Sequence, residues 1–126
     1  MLNHKFWYSL IPSVIWALLI AVGSFIPSST IPTVVVSDKW IHFLFYAIFS
    51  FLLFLSSLSN TKTNTYLVNR WTYVFVIGAI FGGVVEIIQD SIISGRQGEW
   101  MDIVANCLGL FFGLILSEII KSKGVL

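Results

Sequence analysis

Residues 71–93 read WTYVFVIGAIFGGVVEIIQDSII, and this stretch decides the class of the protein. It carries no charge until Glu86 and Asp90, in its last third. As a helix rising about 1.5 Å per residue, it is long enough to cross the roughly 30 Å hydrocarbon core of a bilayer. Gly78, Gly82, Glu86 and Asp90 recur at i,i+4 and therefore share one face. A spanning helix with small residues deep on one stripe and carboxylates at its end is the reading that follows.

The rest of the chain repeats this pattern. Uncharged or nearly uncharged runs cover about 6–26, 39–58 and 101–120. Polar or turn-forming stretches separate them at 27–36, 59–69 and 94–99. The 126 residues are 57% hydrophobic and 10% charged, with mean hydropathy +0.92. A soluble domain carries about 25% charged residues, so that class is excluded. The expectation is an all-α membrane protein, a single domain over 1–126 built as a bundle of four transmembrane helices. Segment one follows His4 and Lys5, as a signal peptide would. It is long for that role, contains Trp7 and Trp16, and ends in Phe-Ile-Pro without a small-residue cleavage site. An uncleaved span is expected. The net charge of +1 gives no sign of nucleic-acid binding, and the single Cys107 forms no intrachain disulfide.

Four spans place both termini on one side. With cytoplasmic termini the inner set of cations is Lys5, Lys62, Arg70, Lys121 and Lys123, against Lys39 and Arg96 outside. The positive-inside rule favours that orientation. Trp71 at the inner interface, and Trp40 and Trp100 at the outer one, fit an aromatic belt.

Three polar clusters then fall at the outer ends of three helices: Asp38-Lys39-(x2)-His42, Glu86-(x2)-Gln89-Asp90, and Arg96-(x5)-Asp102-(x3)-Asn106. His42, Glu86 and Asn106 each lie four residues deeper than Asp38, Asp90 and Asp102, about 6 Å below them. Three helices thus bring a polar side chain to one level. Asp38, His42, Tyr46 and Ser50 share a face, as do Asp102, Asn106, Gly109 and Gly113. Gly78-(x3)-Gly82 and Gly109-(x3)-Gly113 are the small-xxx-small patterns of close helix crossings. The polar layer is expected to sit above these crossings and to face the bundle interior.

Asp38, Lys39, His42, Glu86, Gln89, Gly95, Arg96, Asp102, Ala105, Asn106 and Gly109, in this order and at these separations, resemble the motifs of the VanZ-like family. The resemblance covers about Ser37 to Gly113. Glu99 stands where such proteins often carry Asp. The resemblance implies a small bacterial inner-membrane protein, linked through the family's namesake to resistance against the glycopeptide teicoplanin. Some VanZ-like proteins are described as phosphotransbutyrylases. This sequence has no Gly-rich phosphate loop after a strand and no soluble domain for coenzyme A.

Ionisable groups in a membrane are costly, so the ligand-binding candidates are Asp38, Lys39, His42, Glu86, Gln89, Arg96, Asp102 and Asn106. His42 and Glu86 suit an acid–base pair or an interhelical hydrogen bond. Arg96 suits a phosphate or carboxylate, or a salt bridge to Asp102, Glu99 or Asp90. Asp102 suits the cap of the fourth helix. Tyr46 and Ser50 read as packing residues. No cofactor is expected. His42, Glu86 and Asp102 would supply a metal site, but without paired ligands of the His-Glu-x-x-His type none is expected. The leading functional expectation is an outward-facing polar pocket. It binds or acts on an amphiphilic cell-envelope component, a membrane lipid or lipid-linked molecule with an anionic or sugar-bearing head. The rivals are an acyl or phosphoryl transferase or hydrolase using His42 and Glu86, and a structural or partner-docking bundle. A transporter is disfavoured, because nothing polar continues the path inward and no inverted repeat is visible.

Overall fold

The computed structural model describes residues 4–26, 38–59, 69–93 and 99–126. Four helices fill them: α1 (His4–Phe25), α2 (Asp38–Leu58), α3 (Arg70–Ile92) and α4 (Trp100–Ser122). Each is long and apolar enough to cross a membrane, and no strand occurs among the described residues. The bounds lie within two residues of those expected. Residues 27–37, 60–68 and 94–98, where the sequence reading puts connecting stretches and Arg96, lie outside the described residues.

Local chemistry sets several ends. Asn69 caps α3, its side-chain carbonyl accepting from Thr72 N at 2.7 Å and from the Thr72 hydroxyl at 2.9 Å. At the end of α4, Gly124 adopts φ 71° and donates to the Lys121 carbonyl, the left-handed turn that glycine makes at low cost.

Contacts between helix ends show that the chain runs up and down. The last turns of α1 and α3 meet through Gln89 Nε2 donating to the Ser24 carbonyl at 3.1 Å, the starts of α2 and α4 meet through Lys39 and Glu99, and the approach of His42 to Glu86 at 3.6 Å brings the two pairs to one end of the bundle. α2 is central and packs most extensively on α4, although α3 separates them in sequence. Half of the apolar stretch of α2 is buried, against 17% of that of α1. α1 is the peripheral helix. It is tied to α2 by Trp16 Nε1 donating to the Phe45 carbonyl at 2.9 Å, with the Trp16 and Phe45 rings edge to face.

Glycine makes the α2–α4 seam. A Cβ on Gly109 would meet the backbone of Phe43 and Ala47, and one on Gly113 would meet the Ala47 carbonyl and the Ser50 hydroxyl. On α3 the glycines admit side chains instead: Leu110 lies against Gly78, and Tyr46 and Asn106 against Gly82. Tyr46, Phe49, Phe54, Val74, Leu110 and Leu114 form most of the buried core. At the end of the bundle that holds Arg70 and Lys121, both cations lie over the buried Phe54 ring, at 5.5 and 6.0 Å.

Candidate functional site

The opposite end of the bundle holds the polar layer. α2 contributes Asp38, Lys39 and His42, α3 contributes Glu86, and α4 contributes Asp102 and Asn106. His42, Glu86, Asp102 and Asn106 are all buried, while Asp38 is half exposed. The common depth expected for His42, Glu86 and Asn106 corresponds to real proximity. His42 Nδ1 lies 3.0 Å from Asn106 Oδ1 and 3.6 Å from Glu86 Oε1. The other ring nitrogen, Nε2, faces Asp38 Oδ2 at 3.8 Å and Asp102 Oδ2 at 4.0 Å. One imidazole therefore stands among three carboxylates and an amide from three helices.

Lys39 organises the rim. Its ammonium pairs with Glu99 and lies 3.1 Å from Asp102 Oδ1, the latter without hydrogen-bond geometry. The exposed Glu99 carboxyl is held below the usual carboxylate range, first by its hydrogen bond to Lys39 and then by the ammonium's charge. Lys39 thus pairs with Glu99 and Asp102, two of the acids that the sequence also offered to Arg96, which lies outside the described residues.

Several hydrogen bonds in the layer are unmade. Neither Glu86 oxygen, nor Asn106 Nδ2, nor the Tyr46 hydroxyl has a protein partner with hydrogen-bond geometry, although all are buried. Asn106 is also close to Glu86, so its amide group faces the carboxylate while its oxygen takes the histidine. Native interiors leave few buried polar atoms unpaired, and such groups concentrate where a ligand or proton acts.

Other expectations need revision. Asp102 is not the N-cap of α4. Glu99 holds that position, without a side-chain cap bond, and Asp102 sits one turn in with its carboxylate turned to Lys39 and His42. Gln89 does not join the polar layer, because its amide is spent on the Ser24 carbonyl of α1. Ser50 donates its hydroxyl to the Ala47 carbonyl of its own helix, which suits packing rather than nucleophilic attack. Two residues of the site are not among the sequence candidates: Tyr46 reads there as a packing residue, and Ser24 does not figure. Tyr46 brings its hydroxyl beside the layer, a placement signalled by its i+4 relation to His42. Ser24 lines a cavity of about 140 Å³ between α1 and α2, with Gly23, Asp38, His42 and Tyr46. α1 is therefore a wall of the site, in addition to the three helices expected. Its only signal was a serine at the C-terminal end of an apolar run.

Two further concavities adjoin the layer. A cleft of about 320 Å³ between α3 and α4 is lined by Gly83, Glu86, Asp90, Glu99, Trp100 and Ile103. An apolar groove of about 310 Å³ between α2 and α4 begins at Lys39 and Trp40 and continues past Phe43, Met101, Val104 and Leu108. Compared with known proteins, the chain matches no protein-family model, no curated protein and no solved structure.

Proposed function

We propose that the protein is a multi-pass bacterial inner-membrane protein of the VanZ-like type, with cytoplasmic termini. Its polar layer receives the head of an amphiphilic cell-envelope component. The observation that carries this reading is the layer itself: buried ionisable groups from three spanning helices, with Glu86 left without a hydrogen bond. The adjacent groove is apolar and headed by Lys39 and Trp40, the shape of a seat for an acyl or isoprenoid tail. Acids outnumber cations among the described residues around the layer, which favours a hydroxyl-rich, sugar-bearing head over an anionic one. Among the described residues, Arg70, Lys121 and Lys123 at one end against Lys39 at the other support the orientation.

The test is mass spectrometry of lipid that co-purifies with the protein. Wild type is expected to carry a lipid-linked glycan or glycolipid, and Glu86→Gln to lose it at unchanged abundance. Equal lipid content in both removes the reading. Cysteines placed at 27–36 and 94–98 should react with an external impermeant reagent, and those at 61–65 should not; labelling of 61–65 from outside reverses the orientation. In the glycopeptide context, Glu86→Gln is expected to abolish any change in teicoplanin susceptibility that the gene confers.

The enzymic reading keeps one specific support, the 3.6 Å approach of Glu86 to His42. A chemically modified lipid, formed by wild type and absent with His42→Gln, would select it.

A further inference from the structure

His42 presents an electrostatic problem. Asn106 Oδ1 accepts from Nδ1, so Nδ1 carries the proton in the neutral ring and the Nε2 lone pair points toward Asp38 and Asp102. An acceptor then faces two acceptors, the buried Asp102 and the half-exposed Asp38 at the rim. A cation between them resolves the conflict. We infer that Asp38, His42 and Asp102 form a site for a divalent cation of the zinc or manganese kind.

Four observations carry the inference. The ligand atoms of the three residues lie within 4.8 Å of one another. A point equidistant from them is at most about 2.5 Å from each, against roughly 2.0–2.2 Å for zinc ligands, so closing the site takes movements of about half an ångström. The Asn106 carbonyl on Nδ1 is the outer-shell contact that fixes a metal-binding histidine in the correct tautomer. The Glu86 side chain is more than nine-tenths buried, leaves both oxygens without hydrogen-bond geometry, and sets its Oε1 3.6 Å from Nδ1, so it backs the imidazole from the side away from Asp38 and Asp102. The carboxylates of Asp38 and Asp102 supply the negative charge that balances a divalent ion, where one protonated histidine would supply a single positive charge. Lys39, paired to Asp102 Oδ1, leaves Oδ2 on the metal side. The set is not the trio the sequence offered: Asp38, one turn above His42, takes the place of Glu86.

The inference goes beyond the amphiphile reading and does not rest on it, because the probe is zinc chloride added to delipidated protein. Untagged protein in detergent, stripped with a chelator, is titrated calorimetrically in a background of His4→Gln and Cys107→Ser, which removes competing zinc ligands. One equivalent of zinc per chain is expected. Asp38→Asn and His42→Gln should each weaken binding at least tenfold, and Glu118→Gln, at the far end of the bundle, should leave it unchanged. Asp38 is half exposed, so its variant folds even if the His42 variant does not. Nitrogen NMR of the His42 ring gives a second readout: zinc should shift Nε2 and leave Nδ1 protonated. Absence of saturable binding, affinity indifferent to Asp38→Asn, or a ring protonated on both nitrogens in the presence of zinc overturns the site.

Discussion

The seam between α2 and α4 has two parts built from the same pair of helices, and they are packed by opposite rules. Around Gly109 and Gly113 the backbones touch, and even one added methyl group would collide with Phe43 or Ala47. One and two turns toward the other end, Asp38 and Asp102 approach His42 only to 3.8 and 4.0 Å, and buried polar atoms go unpaired. The difference teaches where the specification lies. The glycine contacts fix α2 against α4, and the polar layer rests on that seam with few bonds of its own, chiefly the His42–Asn106 hydrogen bond and the Lys39 ion pairs. Sites placed on a rigid scaffold keep their geometry without self-satisfaction, which leaves groups available to a ligand.

The strongest way to break the comparison is to break the seam. Gly109→Leu is expected to destabilise the bundle by about 3 kcal/mol, the upper end of the usual cost of overpacking, since the obstacle is backbone and cannot rotate away. Denaturant unfolding in detergent and membrane abundance would both register it. Gly83→Ala faces open space and should be neutral or slightly stabilising. Equal effects at the two glycines would mean that the seam is not the scaffold. The next effect belongs to the polar layer: Asn106→Leu strips His42 of its one hydrogen bond within the layer and should cost about 1–3 kcal/mol in the same assay. A neutral or stabilising result would make the layer a mere packing surface.

Two smaller effects sharpen the contrast. Gln89→Leu removes the tie from α3 to the Ser24 carbonyl, and interhelical hydrogen bonds in membranes average about 0.6 kcal/mol. A loss above about 2 kcal/mol would promote α1 from wall to scaffold, on the same scale. Smallest is the pH effect of Glu99. Its carboxyl is depressed in the folded state, so the stability it contributes is present above the ordinary value of 4.5 and is lost as pH falls through the lower folded value. Wild type should therefore lose stability below about pH 4.5 more steeply than Glu99→Gln, with the gap shrinking at high salt. Parallel curves for the two proteins would show that the Lys39–Glu99 pair is idle.

Much of this arrangement is legible in the sequence, because a membrane imposes few solutions. Apolar runs of spanning length fixed the helices to within two residues, and the i,i+4 spacing from Asp38 to His42 and from Asp102 to Asn106 foretold which side chains meet. What escaped depends on rotation of each helix about its axis. Gln89 sits three residues from Glu86 and looks like its partner, yet the rotation of α3 turns it toward Ser24. Asp102 has the spacing of a cap, but the close approach at Gly109 draws its turn inward against α2. The role of α1 was hidden because its face is signalled by serines and an indole rather than by charge. Spacing also could not choose between Asp38 and Glu86 as third neighbour of the imidazole nitrogen, since that choice is made by which ring nitrogen Asn106 engages.

The most extensive helix packing among the described residues joins the second helix to the fourth, and this orders the events of biogenesis. Chains emerge from the N-terminus, so α2 and α3 are made before α4 exists. During that interval His42 and Glu86 lack Asn106 and Asp102, the groove of Phe43 and Ala47 has no glycines to fill it, and an open α2 face meets lipid. Only the last quarter of the chain closes the bundle. A nascent protein stopped before residue 100 would hold an incomplete polar layer and no seam, so truncation there should direct the product to membrane proteolysis rather than leave a partly working form.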